Sequence, residues 1–102
     1  MYRIYGILLF IFLPWCGLVG GEWKVDKPGK WNDASNWESE IIPNGIKASA
    51  IFGAVNTDAR IITLEENIAL STIEFDSKFS YSIVNSEKAP NMAIRLHNAI
   101  TV

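Results

Sequence analysis

Residues 60–84 read RIITLEENIALSTIEFDSKFSYSIV. In the runs Arg60–Leu64, Ser71–Phe75 and Ser80–Val84, apolar side chains recur at every second position: Ile62 with Leu64, Ile73 with Phe75, Tyr81 with Ile83. A period of two puts those residues on one face of an extended strand, and the intervening Ser, Thr and Glu on the other. The breaks between runs, such as Asp76-Ser77-Lys78, carry residues that favour turns. The pattern predicts short strands with one buried face. Nothing after Gly21 has the 3.6-residue periodicity of an amphipathic helix.

Working outward, the same alternation continues at Ile94 with Leu96 and at Ile100 with Val102, and it begins earlier at Ser49–Phe52 and Glu22–Val25. The expected strands are therefore Glu22–Val25, Ser49–Phe52, Arg60–Leu64, Ser71–Phe75, Ser80–Val84, Met92–Leu96 and Ala99–Val102. Turns are expected at Lys27-Pro28-Gly29, Pro43-Asn44-Gly45, Asn56-Thr57-Asp58 and Asn85–Asn91. A longer period overlies the short one. Ile62 to Ile83, Ile73 to Ile94, Phe75 to Leu96 and Tyr81 to Val102 are each separated by 21 residues. Like side chains recurring at one offset point to stacked coils of a solenoid, about 21 residues each. At that offset Glu74 would lie over Arg95, an opposite-charge pair suited to ladder stabilisation rather than catalysis.

The first 21 residues differ in kind. Arg3 supplies a positive start, Ile7–Leu13 an apolar run, Pro14 a break, and Gly17–Gly21 a small-residue stretch. These are the three parts of a helical secretory signal peptide, with Val19 and Gly21 placed for a cut before Glu22. An uncleaved anchor is the alternative, since residues 4–21 hold no charge, but the length barely spans a bilayer. Trp15 before Cys16 disfavours a lipoprotein site. The expected organisation is a leader over 1–21 and a β domain over 22–102. The last strand pattern is still running at Ile100-Thr101-Val102, which points to the N-terminal part of a longer solenoid.

Composition narrows the class. The whole chain has 102 residues and a net charge of −2, with 9 Lys and Arg against 11 Asp and Glu. Removing the leader takes away Arg3 and leaves a net of −3. The lysines are scattered singly, so the clustered positive charge that nucleic acid requires is missing. The single cysteine is Cys16, so the domain must be held by packing and hydrogen bonds rather than disulfides. Neither this nor the lack of an N-x-[ST] acceptor suits a eukaryotic secreted protein, and both suit a bacterial exported one.

The most specific local pattern is Trp23 … Gly29-Lys30-Trp31-Asn32-Asp33-Ala34-Ser35-Asn36-Trp37 … Pro43-Asn44-Gly45 … Ala48-Ser49-Ala50-Ile51-Phe52-Gly53. Followed by Thr63-Leu64 and Ser71–Asp76, it resembles the opening repeat of autotransporter-type passengers and of surface proteins with autotransporter-associated β-strand repeats. The resemblance covers residues 23–102. It implies an all-β, right-handed parallel β-helix, exported to the bacterial surface, outer membrane or medium, with a structural or adhesive rather than enzymatic role. Its partner would be a surface glycan or a host or cell-surface contact, with no nucleic acid and no cofactor. The membrane would be met only through the leader or in transit. The C-terminal translocator barrel of the full family pattern is not present in these residues.

Trp23, Trp31 and Trp37 invite two readings. Indole faces stack on sugar rings, so they are candidate binding residues; more simply, they cap the N-terminal end of the core, with Asn and Asp nearby to meet their N–H groups. Asp33, Glu38 and Glu40 could suggest calcium or a carboxylate pair, but nothing sets two of them across a cleft, and Asp33 is better placed for a local turn hydrogen bond. His97, the sole histidine, has no nucleophile or metal motif around it. Glu65-Glu66 and Glu87-Lys88 read as solvated turns. No catalytic residue and no metal ligand is assigned. The enzymatic alternative is the N-terminal part of a β-helix polysaccharide-degrading enzyme, and a third is a small carbohydrate-binding β domain.

Overall fold

Seven strands form where the alternation and the turn residues allow. They are β1 (Val19–Glu22), β2 (Gly29–Lys30), β3 (Ala48–Phe52), β4 (Arg60–Leu64), β5 (Ile68–Phe75), β6 (Tyr81–Asn85) and β7 (Ile94–Thr101). Two short 3₁₀ turns, Ala34–Asn36 and Glu38–Glu40, lie between β2 and β3. The computed structural model describes residues 19–101. The expected helical leader therefore lies outside the described residues up to position 18.

The odd strands make one sheet, in the order β1-β3-β5-β7, and the even strands make another, β2-β4-β6. Every strand pairing in both sheets is parallel. Parallel neighbours cannot be joined by a tight hairpin. Here the chain crosses to the other sheet after each strand and returns one position further along. The all-β expectation stands, and the sheets are parallel.

The offset between paired strands is where the structure corrects the sequence. Ile62 does sit beside Ile83, 21 residues on. In the other sheet, however, Ile68 pairs with Ile94 and Ile73 with Ile100, at offsets of 26 and 27. Ile73 therefore does not meet Ile94, and Phe75 does not meet Leu96. Glu74 lies beside Thr101, while Arg95 lies beside Ala69, so the expected charge ladder does not form. Tyr81 pairs with Arg60, and Val102 lies outside the described residues. The physical reason is that corners absorb residues independently of strands. Offsets elsewhere run from 23 (Ser49 to Thr72) to 33 (Gly29 to Ile62). Between Leu70 and Thr72 the register also shifts, because β7 spends three residues, Leu96 to Ala99, where β5 spends two. Such a bulge re-aims the side chains beside it.

Inward rows build the core. Ala48, Ala50 and Phe52 of β3, Ile62 and Leu64 of β4, and Ile68, Leu70 and Ile73 of β5 are all buried. Tyr81 and Ile83 of β6, with Ile94 and Leu96 of β7, pack against them half-buried. One row grows along the sheet: Gly21 pairs with Ala50 and Ala50 with Ile73. The small residues come first in this row, and the larger Ile73 follows on β5. A side chain at Gly21 would press its Cβ to 2.5 Å from the Pro43 ring, so only glycine lets that loop close.

β1 begins at Val19, three residues before the expected domain boundary at Glu22, since Val19, Gly20 and Gly21 pair with Ala48, Ser49 and Ala50. A chain starting at Val19 is expected to unfold at a higher temperature than one starting at Glu22. The lost backbone hydrogen bonds correspond to about 1–3 kcal/mol. Equal melting temperatures by circular dichroism would contradict this role of β1.

Candidate functional site

The segment Gly29–Trp37 is folded by four side-chain requirements. Gly29 leaves room for Asn36, whose amide nitrogen would stand 2.6 Å from a Cβ at that position. Asp33 caps the first 3₁₀ turn, accepting from the Ser35 amide at 3.0 Å and the Ser35 hydroxyl at 2.7 Å. Asn36 is buried; its Nδ2 donates to the Lys30 carbonyl at 3.0 Å, and its backbone carbonyl accepts from the Lys24 amide at 2.9 Å. The turn is thereby tied to both β2 and the strand end at Trp23. Trp37 then meets Trp23 in a single antiparallel bridge.

The result is an aromatic cluster centred on Phe52. The rings of Trp23, Trp31 and Trp37 lie 5.9, 5.6 and 5.5 Å from it. Phe75 stacks on its other side at 5.3 Å, and Tyr81 lies at 5.0 Å. Trp23 and Trp31 both meet Trp37 edge-on, the arrangement that aromatic quadrupoles favour. Each indole N–H donates to a backbone carbonyl: Trp23 to Val25, Trp31 to Pro43 and Trp37 to Trp31, at 2.7–2.9 Å. The partners expected from Asn and Asp side chains are thus supplied by the main chain instead. The three tryptophans are at most 1% exposed. None presents a face on which a sugar ring could stack.

The candidate acids are dispersed. Asp33 is engaged in its cap, and the Ser35 hydroxyl and amide, with help from the Lys27 and Lys30 charges, hold its carboxyl below the ordinary value of 3.8. Glu38 and Glu40 are exposed on the second turn, where Ser39 and Glu40 adopt φ of 61° and 56°. That left-handed turn costs about 1 kcal/mol or more per residue and carries the chain from Trp37 toward Pro43. Among the described residues no three His, Cys, Asp or Glu side chains gather as metal ligands. His97 sits exposed at the β7 bulge. Of the charge pairs read as solvated turns, Glu65 reaches Lys30 at 3.3 Å and Glu66 accepts from Asn32 at 3.5 Å.

Two sets of polar residues escaped the sequence. Asp26 accepts from the Thr57 amide (2.9 Å), the Thr57 hydroxyl (2.7 Å) and Arg60 Nε (3.0 Å), fastening one coil to the next. Corner asparagines do the same. Asn44 Oδ1 accepts from the Ala69 amide and Asn67 Oδ1 from the Ala93 amide, at 3.0 and 2.9 Å. Buried Asn56 donates to the carbonyls of Asp58 and Ser80 and accepts from the Ser77 hydroxyl. Asn44 and Asn56 lie in expected turns and Asp26 directly after an expected strand, whereas Asn67 falls in no expected turn. Turn preference alone does not say that a side chain reaches across to the neighbouring coil.

No helix among the described residues is long and apolar enough to cross a membrane. No family model, curated protein or solved structure matches this chain.

Phe52→Ala is expected to cost about 3–5 kcal/mol, because it opens a cavity among five rings; Trp31→Ala should cost a similar amount. A loss below about 1 kcal/mol in chemical denaturation would contradict the central place of the cluster. A second expectation concerns acid. The Asp26 carboxyl is held below 3.8, first by the Thr57 hydroxyl and amide and then by Arg60. A depressed folded value stabilises above the unfolded value and is lost as pH falls through the folded one. Stability should therefore decline below about pH 4, and the Asp26→Asn, Asp33→Asn double variant should show a shallower decline over the same window. An unchanged acid limb in urea titrations at stepped pH would refute the assignment.

Proposed function

We propose that this chain is an exported, non-enzymatic scaffold: the opening coils of a right-handed parallel β-solenoid, similar to an autotransporter passenger, with a structural or adhesive role at the bacterial surface. The observation that carries this reading is the interleaved pair of all-parallel sheets, β1-β3-β5-β7 and β2-β4-β6. A chain that advances one strand position each time it crosses between two sheets stacks coil upon coil. Crossovers between parallel strands of one sheet are right-handed in nearly all proteins, which supports the handedness.

The use of polar side chains supports a scaffold as well. Asp26, Asn44, Asn56 and Asn67 are each spent on a neighbouring coil, and Asp33 and Asn36 on their own turn. The leader supports export, and the Trp23, Trp31 and Trp37 pattern supports the family likeness. In this reading the strands satisfy backbone groups between coils, inward Ile, Leu and Phe make the core, and the corners carry whatever contacts the surface makes.

The test is expression of the full chain with a C-terminal epitope in a Gram-negative host, followed by fractionation and N-terminal sequencing. The expected result is protein outside the cytoplasm that has lost Met1 and the apolar run Ile7–Leu13. Cytoplasmic protein that retains Met1 would overturn the export reading.

A further inference from the structure

On the outer side of the β1-β3-β5-β7 sheet, where β5 and β7 begin, lies a groove of about 460 Å³. Ala69 and Ala93 give it a shallow floor, and Asn44, Asn67, Arg95 and His97 stand around it. Ile46, 61% exposed, adds an apolar rim. The volume falls within the range of small-molecule sites.

The donors are oriented by the fold. Asn44 and Asn67 each use Oδ1 to accept a backbone amide, from Ala69 and Ala93. The carboxamide cannot then be turned over without setting N–H against N–H. Each Nδ2 is left as a donor on the far side of its plane, and no hydrogen bond engages it among the described residues. The two amides serve successive coils, so they repeat at about the 4.8 Å strand spacing. Arg95 and His97 lie two residues apart on one side of β7, at the bulge that turns the strand. Arg95 forms no ion pair among the described residues. No carboxylate lines the groove. A guanidinium, an imidazole and two fixed amide donors, with no competing negative charge, suit an oxyanion. The apolar rim and the paired amides suit a carbohydrate that bears it.

We propose that this groove binds a carboxylate-bearing oligosaccharide, with Arg95 pairing the carboxylate and Asn44 and Asn67 donating to ring hydroxyls. This goes beyond the scaffold reading and stands independently of export. It also differs from sugar stacking on tryptophan, which burial of the three indoles disallows.

The test is isothermal titration of the full-length chain, held in mild detergent, with digalacturonate, maltose and inorganic sulfate. Digalacturonate is expected to bind, sulfate more weakly, and maltose not at all. Arg95→Gln should weaken digalacturonate binding by about tenfold or more. Asn67→Asp should weaken it similarly without lowering the melting temperature, because an Asp oxygen still accepts from the Ala93 amide while the other replaces the donor with negative charge. Lys88→Gln, at a separate corner beside Lys30 and Glu87, should bind as the parent does. No heat with digalacturonate at millimolar concentration, equal binding of maltose, or an unaffected Arg95→Gln variant would overturn the proposal. Sulfate binding as tightly as digalacturonate would overturn its saccharide part.

Discussion

The ring of Phe52 is the point through which the two parallel sheets and the Gly29–Trp37 segment are joined. It projects inward from β3, which lies between β1 and β5, and so has a coil on either side. Three indoles from the segment between β1 and β3 cover it, Phe75 meets it from β5 and Tyr81 from β6. Aromatic pairs contribute about 0.5–1.5 kcal/mol each beyond area burial, and pairs sharing one ring do not add independently. The cluster is best regarded as one cooperative unit. Its buried indole N–H groups are tolerable only because loop carbonyls are held in place to accept them, which makes the cap at Asp33 and the close approach at Gly29 conditions of the same packing.

The second constraint is the corner. A parallel sheet pairs backbone groups along its strands but leaves groups at the bends without a strand neighbour. Asparagine answers this locally: Asn44, Asn56 and Asn67 bond to main-chain groups of a following coil, and Asp26 reaches the Thr57 amide in the same way. With Cys16 the only cysteine, residues 22–102 have no disulfide to do that work. Side-chain links of this kind also explain why corner lengths can differ so much while the strands stay in register.

Strands and their inward faces were legible in the sequence because both depend on local alternation. Arg60–Leu64 matches β4 residue for residue, and Ile62 finds Ile83 at the expected offset. The same offset failed between β5 and β7 because register there depends on the length of the corner from Asn85 to Ala93 and on the bulge near His97, neither of which leaves a periodic trace. β2 was missed since two residues are too few to alternate, and Met92–Leu96 and Ala99–Val102 merge into one strand across that bulge. The Gly29–Trp37 pattern was visible as a motif, yet the partners of its indoles were not. Carbonyls occur at every residue, so composition carries no sign of which ones face inward.

The two constraints meet in the corner asparagines. An amide that serves as a structural acceptor has its orientation fixed by that duty, so its nitrogen becomes a preorganised donor on the outer surface. Preorganisation lowers the ordering cost of binding, and here it arises as a consequence of stacking. Two such donors stand at neighbouring corners of one parallel sheet, at Asn44 and Asn67, so a ligand that engages both lies across its strands. Arg95 and His97, on β7 beside this pair, give the proposed groove its preference for a negatively charged ligand.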